Sequence, residues 1–475
     1  MIAQPVLPDF APLLDRVFFF DATEGSYEIT GIQGKIPGWL RGSYYVNGPA
    51  RFERAGRRCK NWLDGDGMIC ALSFTEEGVR YTGRFIETPK LRDERAAGEF
   101  LYRGFGMSFP GDRLRRKVML EPPVNVSIYP YDGRLLAFGE QTLPFELDPV
   151  TLETRGEYDF NGSLNEVTPF AAHAKFDGEL LNFGVSFSAA KPMLNIYEFN
   201  DSGSLLRRKR YEIQMPHSVH DFGFTRRHTV FFLSPLLMNF EPFWNDGASV
   251  MESLAWQPEK GSRILVGPRG TNKDGAFFVP AGNGYCLHLI NCFEEAGILT
   301  VDIIELDRPV YGDYEPLPDL FTIVEPGRPV RYRVDLASKS VIERIPMAYD
   351  RTPDFPAIDT ALAGSNYDEF WMLGIRHSGT DGRKFFDQLA HGSWRDGDVK
   401  DLYTLPAGQY FGGEPVYVPN PVDSGDGVVI VEHLDPAGAN SSFWLFDAHA
   451  ILSGPIARLP LRAHIHPGFH ASFWR

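Results

Sequence analysis

Short apolar runs bounded by Gly, Asp, Asn and Pro recur along the whole chain. Examples are Leu135-Leu-Ala-Phe138, Leu180-Leu-Asn-Phe183, Leu194-Asn-Ile-Tyr197, Ile298-Leu-Thr-Val-Asp-Ile-Ile304, Phe370-Trp-Met-Leu373 and Val428-Val-Ile-Val431. Runs of this length, punctuated by turn formers, predict strands joined by β-turns. Segments with a 3.6-residue period are scarce, so the chain reads as all-β. One theme also repeats: a strand, an Asp-centred turn, then a second strand that is often charged. Copies stand at Phe145-Glu-Leu-Asp-Pro-Val-Thr-Leu-Glu153, Tyr197-Glu-Phe-Asn-Asp-Ser-Gly203, Tyr332-Arg-Val-Asp-Leu-Ala-Ser338, Gly392-Ser-Trp-Arg-Asp-Gly397 and Trp444-Leu-Phe-Asp-Ala448. Neighbouring copies lie about 50–60 residues apart, with a central gap wide enough for one or two degenerate copies. That beat predicts four-stranded blades around an axis, a β-propeller.

In a propeller the inner strand of every blade faces one axis, so residues remote in sequence converge there. A metal site in such a fold appears as isolated histidines, roughly one per blade, and not as a His-Glu-x-x-His helix. The chain lacks that helix motif and has such histidines: His173, His220, His288, and a C-terminal group at His464, His466 and His470. Around residues 215–224, Pro216 and Gly223 argue for extended chain, where His217 and His220 take opposite faces. His220, beside Asp221 and Phe222, is the one expected to point inward. Pro467-Gly468 breaks the C-terminal strand, so period alone does not choose among its three histidines. His228 follows two arginines and His449 sits in a turn, so both read as solvent-facing. His377, His391 and His433 fit core or surface equally well.

Composition narrows the classes. A net charge of −15 and a pI near 5.3 exclude the clustered basic surface that nucleic-acid binding needs. Arg113-Leu-Arg-Arg-Lys117 and Arg207-Arg-Lys-Arg210 are short and read as solvated turns, with membrane headgroup contact as the alternative. Cys59, Cys70, Cys286 and Cys292 form no Cys-x-x-Cys pair and make no disulfide scaffold, which points to a reducing compartment. The N-terminal residues carry no basic and apolar leader pattern, so a cytoplasmic protein is expected. No linker divides the chain, and residues 1–475 are read as one propeller domain. The 37 Phe and 19 Tyr supply an apolar tunnel as well as a core. The run 233–244, with Leu236, Leu237, Met238, Phe240, Phe243 and Trp244, is too short to span a bilayer. It is expected either to pack beneath a cap or line the tunnel, or to form an exposed patch for peripheral membrane contact.

The motifs together resemble the carotenoid cleavage dioxygenase family. They are Pro37-Gly-Trp-Leu-Arg-Gly-Ser-Tyr-Tyr-Val-Asn-Gly-Pro49, Trp62-Leu-Asp-Gly-Asp-Gly-Met-Ile69, Glu146-Leu-Asp-Pro-Val-Thr-Leu-Glu-Thr154, Ala172-His-Ala-Lys175, His220-Asp-Phe222, His288-Leu-Ile-Asn-Cys-Phe-Glu294, Glu414-Pro-Val-Tyr-Val-Pro419 and Gly468-Phe-His470. The resemblance covers nearly the whole chain. It implies a seven-bladed propeller with a small helical and loop-built cap over one face, and one Fe(2+) per chain held by His173, His220, His288 and His470. It also implies three carboxylates that accept hydrogen bonds from the ligand imidazoles, at Glu140, Asp354 and Glu414. Asp354 stands where the family has Glu, so its reach is one methylene short.

The implied activity is cleavage of a conjugated C=C bond of a carotenoid or apocarotenoid by O2 into two carbonyl products, with no catalytic group beyond the metal centre. Phe105, Phe109, Phe138 and Trp244 are the expected tunnel residues. The stilbene-cleaving branch anchors a 4-hydroxyl with Tyr and Lys; Phe105 and Gly139 stand at those positions, which favours an apolar polyene. Outside the family, a Ca²⁺-dependent lactonase propeller would need axial carboxylates, and a non-catalytic binding propeller would need no metal.

Overall fold

The computed structural model describes residues 8–117, 119–186, 191–271, 275–310, 315–423 and 425–475. Most of the N-terminal stretch read above for a leader, residues 1–7, lies outside them. The described residues form seven antiparallel sheets of four or five strands, the blades of a seven-bladed β-propeller, and two short ribbons. In chain order the innermost strands of the second to seventh blades are Ser127–Tyr131, Lys175–Phe176, Gly223–Phe224, Leu289–Glu295, Thr352–Ala357 and Tyr410–Pro419. The first blade takes its innermost strand from the other end of the chain: Ala471–Trp474 pairs with Gly42–Ala50, in register Val46 to Ala471. Conversely, Gln33–Gly34 adds to Pro455–Pro460 at the rim of the seventh blade. Two closures of opposite sense leave no unpaired end in the ring.

The repeated theme has one location. All five copies are the outermost hairpin of a blade, in the second, third, fifth, sixth and seventh. The turn residue acts through its side chain: the Asp148 carboxylate accepts from Val150 N and Thr151 N, Asp335 from Ala337 N and Ser338 N, and Asn200 from Ser202 N and Ser204 N. A short oxygen-bearing side chain that satisfies the backbone two to four residues on is what reverses the chain there. The wide central gap arises because the fourth and fifth blades carry long insertions between strands, at residues 234–262 and 307–326. Middle strands such as Gly427–Asp435 are buried on both faces by adjacent blades and read as continuous apolar runs. Outer ones such as Leu205–Glu212 alternate exposed and covered positions, with Arg208, Arg210 and Glu212 outward.

Long connections form a cap over the axis. Asn61 Nδ2 donates to Met251 Sδ, Met251 N to Phe105 O, and Leu317 N to Lys60 O, while Arg103 Nη1 donates to Phe243 O. The cap's helix, Pro89–Ala97, starts at Thr88, whose hydroxyl accepts from Leu91 N, and stops at Gly98 in the left-handed region. Lys90 anchors it to the first blade: its ammonium lies 2.8 Å from Asp66 Oδ1 and 2.9 Å from Glu94 Oε2, with Arg54 completing a fully enclosed cluster. Lys90→Ala leaves two buried carboxylates on one guanidinium. A loss of about 3–5 kcal/mol in folding stability is expected, measured as a lower denaturant midpoint with an unchanged slope.

The run 233–244 corrects one expectation. Leu236–Met238 pairs with Leu254–Trp256 as a ribbon, and Leu236 packs with Tyr285 and Leu306. Leu236, Leu237 and Phe243 are buried, and of the six apolar side chains only Trp244 is exposed, at 46%. The exposed-patch expectation is thus overturned, because the ribbon turns its apolar face onto the fifth blade. No helix among the described residues is long and apolar enough to cross a membrane. All four cysteines are free and buried.

Candidate metal centre

Where an inner strand begins decides what reaches the axis. His173, His220, His288 and His470 stand one to three residues before the innermost strands of the third, fourth, fifth and first blades. Asp354 and Glu414 lie on the innermost strands of the sixth and seventh, and Glu140 follows Arg134–Phe138 of the second. Each of the seven blades therefore contributes one group.

The four imidazoles meet, each offering a nitrogen within 4.8 Å of the others. Nε2 of His220 is 3.0 Å from Nε2 of His173 and 3.2 Å from that of His288. The opposite nitrogens explain how such a contact is tolerated. His220 Nδ1 lies 2.7 Å from Glu140 Oε1, and His288 Nδ1 donates to Asp354 Oδ1 at 2.5 Å. His470 Nδ1 is 3.5 Å from Glu414 Oε2, and His173 Nδ1 is 3.6 Å from Asp221 Oδ1. A carboxylate at Nδ1 holds the proton there and turns the Nε2 lone pair inward. Converging lone pairs repel unless a cation joins them. Two nitrogens bound at right angles to one ion, each at about 2.1 Å, are about 3.0 Å apart. The donor set and the 3.0 and 3.2 Å spacings fit a single metal ion held by the four imidazoles.

Burial and mutual repulsion hold His173 and His470 well below the ordinary imidazole range, neutral and ready to ligate. Burial works against ionisation of Asp354, but the neighbouring His288 outweighs it and keeps that carboxyl low. At Glu414 burial prevails and raises the carboxyl to about 7, despite the hydrogen bond it accepts from Ala471 N. Asp221 is tied by Lys175 Nζ at 2.8 Å and by Leu289 N at 2.8 Å, so it links the third, fourth and fifth blades behind the imidazoles.

Asp354 overcomes its missing methylene through the backbone. The register between Thr352–Ala357 and Glu369–Ile375 slips between Asp354 and Ala357, and Phe355 takes a φ of +52°. This bulge carries the short side chain to His288. It also places the Phe355 ring 5.6 Å from that of His288 and 5.4 Å from that of His470. Phe469 stacks beside Phe355, Phe386 meets it edge-on, and Trp62 contacts both Phe355 and Phe469. This aromatic wall extends to Phe321 of the cap.

These wall residues were missed in the sequence, although Phe355 and Phe469 adjoin Asp354 and His470 and Trp62 opens a motif. The expected tunnel residues fall elsewhere. Phe138 is a correction: it is fully buried between Tyr129 and Phe170 in the core between blades. Trp244 is corrected as well, since it lies on the surface, edge-on to Phe243. Phe109 is half-buried beneath the Arg57 guanidinium, 4.0 Å away, and Phe105 is half-buried in the cap. His217, His464 and His466 are apart from the centre, bonded to Ser234 O, Ser441 Oγ and Phe18 O. His228, read as solvent-facing, is half-buried and bonded to Glu294 at 2.6 Å.

Residues 19–475 match the family model described as retinal pigment epithelial membrane protein. An apocarotenoid-15,15'-oxygenase from Synechocystis is 29% identical over 95% of this chain and 94% of its own length. An isoeugenol monooxygenase of Pseudomonas putida is 28% identical over 97% of each chain, and a lignostilbene-alpha,beta-dioxygenase isozyme III of Sphingomonas paucimobilis 27% identical over 95% and 94%. The solved structure of the cobalt-substituted Synechocystis oxygenase superposes with a TM-score of 0.89 at 27% identity, over 98% of both chains.

Proposed function

The chain belongs to the retinal pigment epithelial membrane protein family, and on that premise we propose its reaction. It is an Fe(2+)-dependent dioxygenase that cleaves a conjugated C=C bond of a carotenoid or apocarotenoid with O2, giving two carbonyl products. The observation that carries this reading is the convergence of four imidazole nitrogens, with carboxylate oxygens near the Nδ1 atoms; an octahedral ion held there would keep two positions for other ligands. Iron bound by His173, His220, His288 and His470 supplies O2 activation at that point. Glu140, Asp354 and Glu414 hold protons on Nδ1 and offset part of the metal charge. Phe355, Phe469 and Trp62 exclude water and offer apolar surface that orients a polyene beside the metal. No side chain has to move a proton, since both oxygen atoms end in carbonyl groups.

The substrate class follows from what is missing where a phenol would be anchored. A Cβ on Gly139 would stand 3.1 Å from Val124 Cα and 3.2 Å from Thr142 Cγ2, so the backbone there has no room for a lysine without yielding. Position 105 carries Phe in place of a hydroxyl. The relatives that act on isoeugenol and lignostilbene keep a phenylpropanoid reading as the second one. Iron-loaded protein incubated with ¹⁸O2 and a panel of apocarotenals and 4-hydroxystilbenes separates them. An apocarotenal is expected to yield two carbonyl fragments, one labelled oxygen in each; faster turnover of the hydroxystilbenes would overturn the polyene assignment.

A further inference from the structure

His391 is 2% exposed and neither of its ring nitrogens has a hydrogen-bond partner. A buried imidazole left with both nitrogens unsatisfied is costly. It lies on Gln388–Ser393 in the middle of the sixth blade, opposite Trp371, with its ring stacked on the indole at 5.1 Å and 11°. Two residues before Trp371, on the same face, Glu369 brings Oε2 to 3.7 Å from His391 Nε2. The third group arrives from another blade. His449 follows Asn440–Asp447 of the seventh, and its Nδ1 is 3.3 Å from the same Glu369 Oε2. Trp371 Nε1 donates to Ala448 O at 2.9 Å, which pins that turn against the sixth blade.

We propose that Glu369, His391 and His449 form a second metal site, a zinc site that staples the sixth blade to the seventh. One nitrogen each from His391 and His449 and one oxygen from Glu369 lie within 4.8 Å of one another. Donors about 2.0–2.1 Å from a tetrahedral ion stand about 3.4 Å apart, and the two oxygen–nitrogen separations of 3.3 and 3.7 Å bracket that edge. At the four-histidine centre the corresponding separations are shorter, 3.0 and 3.2 Å. Two imidazoles and a carboxylate are a zinc donor set that keeps a fourth position. That position opens to solvent, because the Glu369 and His449 side chains are 29% and 32% exposed.

Lys400 is the charge that opposes a dication here. Its ammonium holds the other oxygen, Glu369 Oε1, at 2.7 Å and leans toward Asp396 at 3.7 Å, so Oε2 stays available. Without metal, Glu369 and His449 still pair while His391 remains unsatisfied. Zinc would join all three.

The test uses the full chain stripped by chelator, with Zn²⁺ alone as the probe. Wild type is expected to take up two equivalents at dialysis equilibrium and His449→Ala one, with Glu369→Gln following His449→Ala. His391 is packed on Trp371, so the two half-exposed positions are the variants of choice. Zn²⁺ should raise the Tm of wild type more than that of His449→Ala, since a ligand that binds only the folded state stabilises it. Co²⁺ should give strong tetrahedral visible bands in wild type that His449→Ala loses. Turnover by the iron-loaded variant should match wild type. Equal metal stoichiometry and equal Co²⁺ spectra in wild type and His449→Ala would overturn the site.

Discussion

His470→Ala is expected to strip the protein of most of the metal at the four-imidazole centre, iron under the proposed reaction, and of its turnover. The loss should exceed the roughly 10–100-fold typical of removing an outer carboxylate partner. Three imidazoles would remain around a position built for four. Because His470 immediately precedes the strand that closes the ring onto Gly42–Ala50, the backbone there stays held by Ala471–Trp474. Metal content by elemental analysis and turnover of an apocarotenal read the effect, with circular dichroism showing whether the propeller has survived. Ala at His173, His220 or His288 should behave alike. The controls are His217, His464 and His466, each of which commits one ring nitrogen, to Ser234 O, Ser441 Oγ and Phe18 O respectively. Replacing them costs packing and leaves iron in place. Full iron occupancy in a folded His470→Ala protein would sink the ligand assignment.

Asp354→Asn is expected to lower metal affinity or activity by about 10–100-fold, in the same range as Glu140→Gln and Glu414→Gln. The amide keeps the shape but gives up the charge that holds the proton on His288 Nδ1. Asp354→Glu is the more informative variant. The bulge at Phe355 has already drawn the backbone in, so an extra methylene overshoots His288 or drives the Phe355 ring toward His470. A loss comparable to that of Asn is expected, and unchanged or improved iron affinity in Asp354→Glu would show that the bulge serves something other than the reach of this carboxylate. Separate titrations of iron and measurements of turnover distinguish a weaker site from a distorted aromatic wall.

Much of the propeller was legible because its rhythm is local. An Asp or Asn that caps its own turn, flanked by short runs of β-branched and aromatic residues, writes a blade's outer hairpin into a dozen consecutive positions, as at Asp148, Asn200 and Asp335. The four candidate histidines were legible for a related reason. Each sits just ahead of an inner strand, within a motif short enough to be recognised in one dimension. The burial of Leu236, Leu237 and Phe243 was not legible, since an apolar run looks the same whether its face meets solvent or the fifth blade.

The sequence by itself determined the strands, the turns, the all-β class and which isolated histidines were available for a metal. Only the tertiary structure decided which imidazoles converge, because each ring and the carboxylate near its Nδ1 arrive from different parts of the propeller. It alone showed that Asp354 reaches His288, since that depends on a slipped register between two strands. It also brought Glu369, His391 and His449 together across two blades, where the sequence marked none of the three. Period-2 patterning tells a side chain which face of its strand to take. What waits on that face is fixed by ring closure, which joins residues hundreds of positions apart.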